Sequence, residues 1–190
     1  MMKVIGISGS ARKDGNTSIL MNTIFEELHK ENIETELIQL AGTIIEPCKA
    51  CWGCSGKRNC IHRNDTFREI FEKILYADGI VLGSPVYSAN VSANMQAFIE
   101  RAAVVADCNP EILKYKIGTE VAVARRAGAI TAMDSMNHLF LNHDMFVVGS
   151  NYWNVAYGRL PGDVLQDEEG MNTIRNLGRN MAFLLKAVKG

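Results

Sequence analysis

The stretch that most restricts this chain is Val4 to Ser18, V-I-G-I-S-G-S-A-R-K-D-G-N-T-S, which runs directly into the apolar positions Ile19, Leu20 and Met21 of a helical pattern. A short apolar strand, a turn of Gly, Ser, Arg, Asn and Thr, and then an amphipathic helix is an order of elements that α/β proteins use to hold an anion. The amides at a helix N-terminus have no intrahelical partner and sit at the positive end of its dipole. Gly6, Gly9 and Gly15 allow close backbone approach, while Ser8, Ser10, Arg12, Asn16, Thr17 and Ser18 carry side-chain donors. The loop therefore reads as a phosphate cradle, with a polar turn that merely caps a helix as the plainer alternative. It contains neither G-x-x-x-x-G-K-[ST] nor G-x-G-x-x-G, which disfavours a nucleoside triphosphate and a Rossmann dinucleotide.

The same strand-helix rhythm continues along the chain. Met1–Ser8 reads as a buried strand, and Asn16 to about Glu31 as a helix buried through Ile19, Leu20, Ile24, Phe25 and Leu28. Ile33–Leu40 reads as a strand near a sheet edge, Asp78–Gly83 and Gly118–Ala124 as central strands, and Met145–Gly149 as a fifth. Helices are expected after Asp65-Thr66, through Met95 to Val105, over Ile130–Asn142 and from about Asp167 to Lys189, with Ser150–Gly162 irregular. The pattern predicts one α/β domain over 1–190: a flavodoxin-like, doubly wound three-layer sandwich with a five-stranded parallel sheet in the order 2-1-3-4-5. A cysteine-rich loop at about 46–64 is inserted into it.

A chain of 190 residues that is 47% apolar can bury a core on both faces of such a sheet. The formal charge of −1 and the lack of a Lys/Arg block argue against a nucleic-acid or membrane partner. No apolar run approaches about 18 residues and no signal-peptide pattern opens the chain, so a cytoplasmic protein is expected.

In a sheet of this kind the ligand lies beyond the C-terminal strand ends. Three loops leave those ends. The first is the phosphate cradle. The second, Pro85-Val86-Tyr87-Ser88-Ala89-Asn90, is apolar and aromatic with free backbone donors, which suits a flat heteroaromatic ring. The third carries Arg125, Arg126 and Gly128, whose guanidinium groups can stack on a ring or neutralise an anion. One phosphate on a large planar ring points to FMN.

Cys48, Cys51, Cys54 and Cys60 are spaced x2, x2 and x5. Three closely spaced thiolates and a fourth a few residues on can close a 4Fe-4S site. A four-cysteine zinc site is chemically possible, although zinc more often joins two separate knuckles across a longer spacer. Redox-active or free thiols are the third reading. Cys108 is expected as a small buried apolar residue and His62 as a surface residue. No Ser-His-Asp, Cys-His or H-E-x-x-H pattern occurs, which fits a protein whose chemistry belongs to its cofactors.

The motifs G-I-S-G-S-A-R-K-D-G-N-T at 6–17, P-C-K-A-C-W-G-C followed by Cys60, G-S-P-V-Y at 83–87 and M-F-V-V-G at 145–149 resemble the flavodoxin-like NADPH-dependent FMN reductase superfamily, and within it the iron-sulfur flavoproteins. The resemblance implies non-covalent FMN, with its phosphate at Ser8, Ser10, Arg12, Asn16, Thr17 and Ser18 and its ring against residues 85–90. It also implies a homodimer or homotetramer with the flavin near a subunit boundary. One departure is visible: Arg125-Arg126-Ala127-Gly128-Ala129 stands where the iron-sulfur branch has a loop ending in Gly-Gly-Gln-Glu, as in a sister subgroup. The expected activity is that of a flavin oxidoreductase or electron-transfer flavoprotein working between NAD(P)H or a reduced carrier, FMN and the cluster. Its rivals are an FMN or quinone reductase without a cluster, a carrier that serves protein partners alone, and a non-catalytic module whose loop is stapled by zinc.

Overall fold

The computed structural model describes residues 1–190. Its elements are β1 (Lys3–Ser8), α1 (Asn16–Lys30), β2 (Glu34–Gln39), α2 (Phe67–Leu75), β3 (Gly79–Pro85), α3 (Ala93–Asp107), β4 (Ile117–Ala124), α4 (Ala129–Leu141), β5 (Phe146–Val147), β6 (Val155–Tyr157), a 3-10 turn (Asp163–Gln166) and α5 (Glu168–Lys189). All strand pairs are parallel, in the order β2-β1-β3-β4-β5, with β6 also beside β4.

Alternation along the central strands divides the core in two. Ile5, Ile7, Ile80 and Leu82 point to one face, under Phe67 and Phe71 of α2, Phe98 of α3 and Phe140 of α4. Val4, Val81, Val121 and Val123 point to the other, under Leu20 and Ile24 of α1 and Ile174 and Leu177 of α5. Each period-2 strand thus presents apolar groups to both helical layers, as a fully covered parallel sheet requires.

The fifth strand differs from expectation. Instead of one strand over Met145–Gly149, the chain pairs with the first part of β4 only at Phe146–Val147 and then bows away. It rejoins the same edge as β6, where Val155, Ala156 and Tyr157 register with Ala122, Val123 and Ala124. The segment expected to be irregular therefore contains a sixth strand, three residues long, set in polar and aromatic surroundings that hide a period-2 signal. The bow lies beside Glu120 of β4. Asn154 Nδ2, at the return, donates to Glu120 Oε1 at 3.2 Å.

Glu120 is 2% exposed. Burial pushes its carboxyl up to about 7, against the donation from Asn154 and with a further push from Asp134. The folded chain therefore keeps this proton to about pH 7, whereas the unfolded chain releases it near 4.5. Between those values the folded state binds more protons, so stability falls as pH rises. In urea denaturation, Glu120→Gln is expected to lose this decline and to gain on the wild type by about 2–3 kcal/mol from pH 5 to pH 8.

Candidate functional site

Two sites flank α3. The first lies at the C-terminal strand ends. Helix α1 begins at Asn16 with no side-chain cap and no acid in its first turn, although Asn16, Thr17 and Ser18 are all buried. An uncapped, buried helix start leaves its amides for an anion. The loop before it is pinned by the Gly9 amide, which donates to Gly83 O at 2.8 Å, and by Ser92 Oγ, which donates to Gly9 O at 2.6 Å.

A cavity of about 130 Å³ gathers Ser10, Arg12, Asn16 and Thr17 with Pro85, Val86 and Tyr87, Val123 and Arg125, and Gly158 and Arg159. Three arginines face it and no carboxylate does. The chemistry fits a phosphate bearing a planar group. Eight of the residues expected for a cofactor meet here; the others are placed differently. Ser8 is wholly buried in β1 with its Oγ unpartnered, and Ser18 Oγ donates to Gln39 Oε1 at 2.9 Å. Ser88 and Ala89 form a tight left-handed turn, at φ 49° and 59°, closed by mutual backbone bonds between Tyr87 and Asn90. Asn90 Oδ1 accepts from Ser135 Oγ of α4 at 2.8 Å. Arg125 and Arg126 are exposed, and Gly128, at φ 86°, lets the third loop pass against Ala89.

Asn16 also has a task that its residue type did not disclose. Its Nδ2 donates to Leu160 O at 2.8 Å and its Oδ1 accepts from the Gly162 amide at 2.7 Å, while Arg12 Nη1 donates to Arg159 O at 3.0 Å. The segment leaving β6 is thereby clamped over the cradle. Gly158 permits the approach: a Cβ there would stand 2.9 Å from Asn16 Nδ2. Gly158 and Arg159 went unrecognised because the strand that delivers them did.

The second site is the cysteine loop. Cys54 and Cys60 are buried, Cys48 is half-buried and Cys51 exposed, and all four line one cavity with His62, Arg101, Trp52 and Val104. Ala50, Trp52 and Arg58 have φ of 49°, 55° and 57°, so the loop holds left-handed non-glycine backbone at a cost of about 1 kcal/mol or more each. No three His, Cys, Asp or Glu side chains converge to hold one ion. A mononuclear zinc needs its sulfurs together, each about 2.3 Å from one point; a cluster instead takes its thiolates on separate irons around a larger body. The space the four thiols line is about 20 Å³. The donor set matches a cluster in number, and the loop would have to open on its exposed side to receive one.

Burial, with Cys108 and Cys60 close by, pushes the Cys54 thiol up to about 11. Such a thiol ligates only when a metal centre displaces its proton. Cys108, expected as a small buried apolar residue, is half-buried beside Cys54, and His62, expected at the surface, has Nε2 3.4 Å from Cys51 Sγ.

Arg101 was not singled out in the sequence, yet it organises this site. Its side chain is 3% exposed and pairs with Asp65, itself 3% exposed. Nη2 donates to Cys60 Sγ at 3.2 Å, Nη1 donates to Glu46 O at 3.2 Å, and the guanidinium lies 4.2 Å from the Phe67 ring centroid. Asp65 Oδ2 also accepts from the Glu46 amide at 2.8 Å. One buried ion pair on α3 thus ties both ends of the loop. Its signal was an arginine on the same helix face as Phe98, Ala102 and Val105.

Fold and cradle define a flavodoxin-like α/β protein built to receive a phosphate and a flat ring at its strand ends. The profile of the NADPH-dependent FMN reductase family matches residues 2–159, and the chain belongs to that family; it is a flavin-dependent oxidoreductase. It is similar to an iron-sulfur flavoprotein of Methanocaldococcus jannaschii, 40% identical over 195 residues, covering 99% of this chain and 100% of that protein. A second iron-sulfur flavoprotein, from Methanosarcina thermophila, is 30% identical over 196 residues, covering 99% and 97%. Among solved structures, RosB with bound 8-demethyl-8-formylriboflavin-5'-phosphate matches at TM-score 0.79 and 17% identity, over 100% of this chain and 81% of that one. A WrbA-like flavodoxin from Agrobacterium tumefaciens matches at TM-score 0.71 and 13% identity over 100% of both. At these identities the two structures speak for the fold alone.

Arg101→Met leaves Asp65 buried without its counter-charge and is expected to cost about 3–5 kcal/mol in urea denaturation. Adding Asp65→Asn should recover part of that loss.

Proposed function

We propose that this oxidoreductase passes electrons between NAD(P)H or a reduced carrier, FMN, and a 4Fe-4S cluster held by Cys48, Cys51, Cys54 and Cys60. The observation that carries the reading is the gathering of four thiols around one cavity beside a buried guanidinium. Cluster thiolates are anionic, and a cation already inside the loop favours them. The full-length relatives named iron-sulfur flavoproteins support the same reading. FMN, when bound, supplies the link between two-electron and one-electron donors.

The chain's own part is to bind and orient. The α1 amides with Ser10, Thr17 and Arg12 take the phosphate, and Arg125 and Arg159 add positive charge at the rim. The turn at Pro85–Asn90, propped by Gly128, carries the ring. A second reading, an FMN or quinone reductase without a cluster, draws support from the small space among the sulfurs. A non-catalytic module does not accord with membership of a reductase family. Trp52, Tyr152 and Trp153 are 61%, 60% and 57% exposed, aromatic surface that suits a homodimer or homotetramer. No helix is long and apolar enough to cross a membrane.

The deciding experiment is an anaerobic visible spectrum of freshly purified protein with iron, zinc and flavin quantified after acid release. Broad absorption near roughly 400 nm over the flavin bands, with about four irons per chain, is the expected result. Flavin without iron, with steady NADPH oxidation, selects the second reading. Replacing Cys51 and Cys54 together by Ser should remove iron and leave flavin. Arg12→Ala with Asn16→Ala should weaken FMN about tenfold to a hundredfold, read by fluorescence titration of the apoprotein. Light scattering should give a mass above that of one chain.

A further inference from the structure

A separate concavity of about 440 Å³ opens between α4 and the bow that joins β5 to β6. It shares no lining residue with the phosphate cradle or the cysteine cavity. Its volume lies in the range of small-molecule sites. The walls are apolar and aromatic, with Met133 on one side and Tyr152 and Trp153 on the other.

The buried, unpartnered polar atoms of this concavity are all oxygens. Glu120 is 2% exposed and Asn154 is 4% exposed. The bond from Asn154 Nδ2 to Glu120 Oε1 fixes how that amide is turned, which leaves Asn154 Oδ1 and Glu120 Oε2 without partners. Asn137 Oδ1, from α4, is also buried and unpartnered. Asp134 is the other carboxylate facing Glu120, and no Lys, Arg or His lines the space. Above about pH 7, once Glu120 has lost its proton, three acceptors here are left without a donor, and each costs about 1–3 kcal/mol when left unmade. A primary ammonium has three N–H donors and no acceptor. Aromatic faces beside such a cation are further attractive.

We propose that this cavity binds a primary ammonium on an apolar body, an alkyl or arylalkyl amine, with its head on Glu120 Oε2, Asn137 Oδ1 and Asn154 Oδ1 and its body against Met133 and Trp153. The proposal does not depend on whether the cysteines hold a cluster.

The test is calorimetric titration of 2-phenylethylamine into the flavin-loaded protein at pH 8, beside its neutral match 2-phenylethanol. The amine should bind at one site per chain, at least tenfold tighter than the alcohol. Glu120→Gln keeps the size of the side chain and an oxygen for Asn154, and its fold is checked by circular dichroism. It should weaken the amine at least tenfold and leave the flavin spectrum unchanged. Equal affinity for amine and alcohol, an affinity untouched by Glu120→Gln, or no heat at millimolar amine would overturn the proposal. As a control independent of Glu120, Trp153→Ala should weaken both probes; an unchanged response to both would place any binding elsewhere and overturn it as well.

Discussion

The guanidinium of Arg101 is the group on which the cysteine loop depends. A buried arginine is stable only when its charge and donors are met, and here they are met by Asp65, the Glu46 carbonyl, Cys60 sulfur and the Phe67 ring. These partners lie before the cysteines, among them and after them. A long insertion with left-handed non-glycine backbone would otherwise have little reason to settle in one shape. Asn109, at the end of α3, completes the fastening: its Nδ2 donates to Cys54 O at 2.9 Å and its Oδ1 accepts from the Arg58 amide at 2.9 Å.

Helix α3 also links the two sites. Its N-cap, Ser92, bonds to the Gly9 carbonyl under the phosphate cradle, and its later turns carry Arg101 and Val104 against the cysteines. Nine to twelve residues of helix separate these contacts, about 14–18 Å along the axis. Cofactor cradle and cysteine loop are therefore held at a set distance by a rigid element, without a flexible joint between them.

The fold was legible because its signals are local and repeated. β1, α1 and β3 announce themselves by apolar period and by the polar turns that follow, and the sheet order matches the doubly wound expectation. The loop and helix start of the proposed cradle were legible as elements for the same reason, since they are contiguous in sequence. What could not be read were contacts made across the chain. Asn16 reads as a phosphate ligand, and its bonds to Leu160 and Gly162, 144 and 146 residues away, leave no trace in the local sequence. Arg101 looks like solvent charge until Asp65 neutralises it. β6 was missed because three residues carry too little period to outweigh the aromatic and polar residues before them, and Arg159 was missed with it.

The two margins of the sheet have a consequence for strand addition by another chain. At one margin β2 carries Glu34 and Glu36, engaged by Lys3 and Lys73. At the other, β5 and β6 are two and three residues long and separated by the bow. Neither margin offers a long, flat, uncharged row of backbone groups on which another chain could add a strand. Any self-association is therefore directed to side chains of helices and loops, and the sheet margins are poor templates for fibril-like growth.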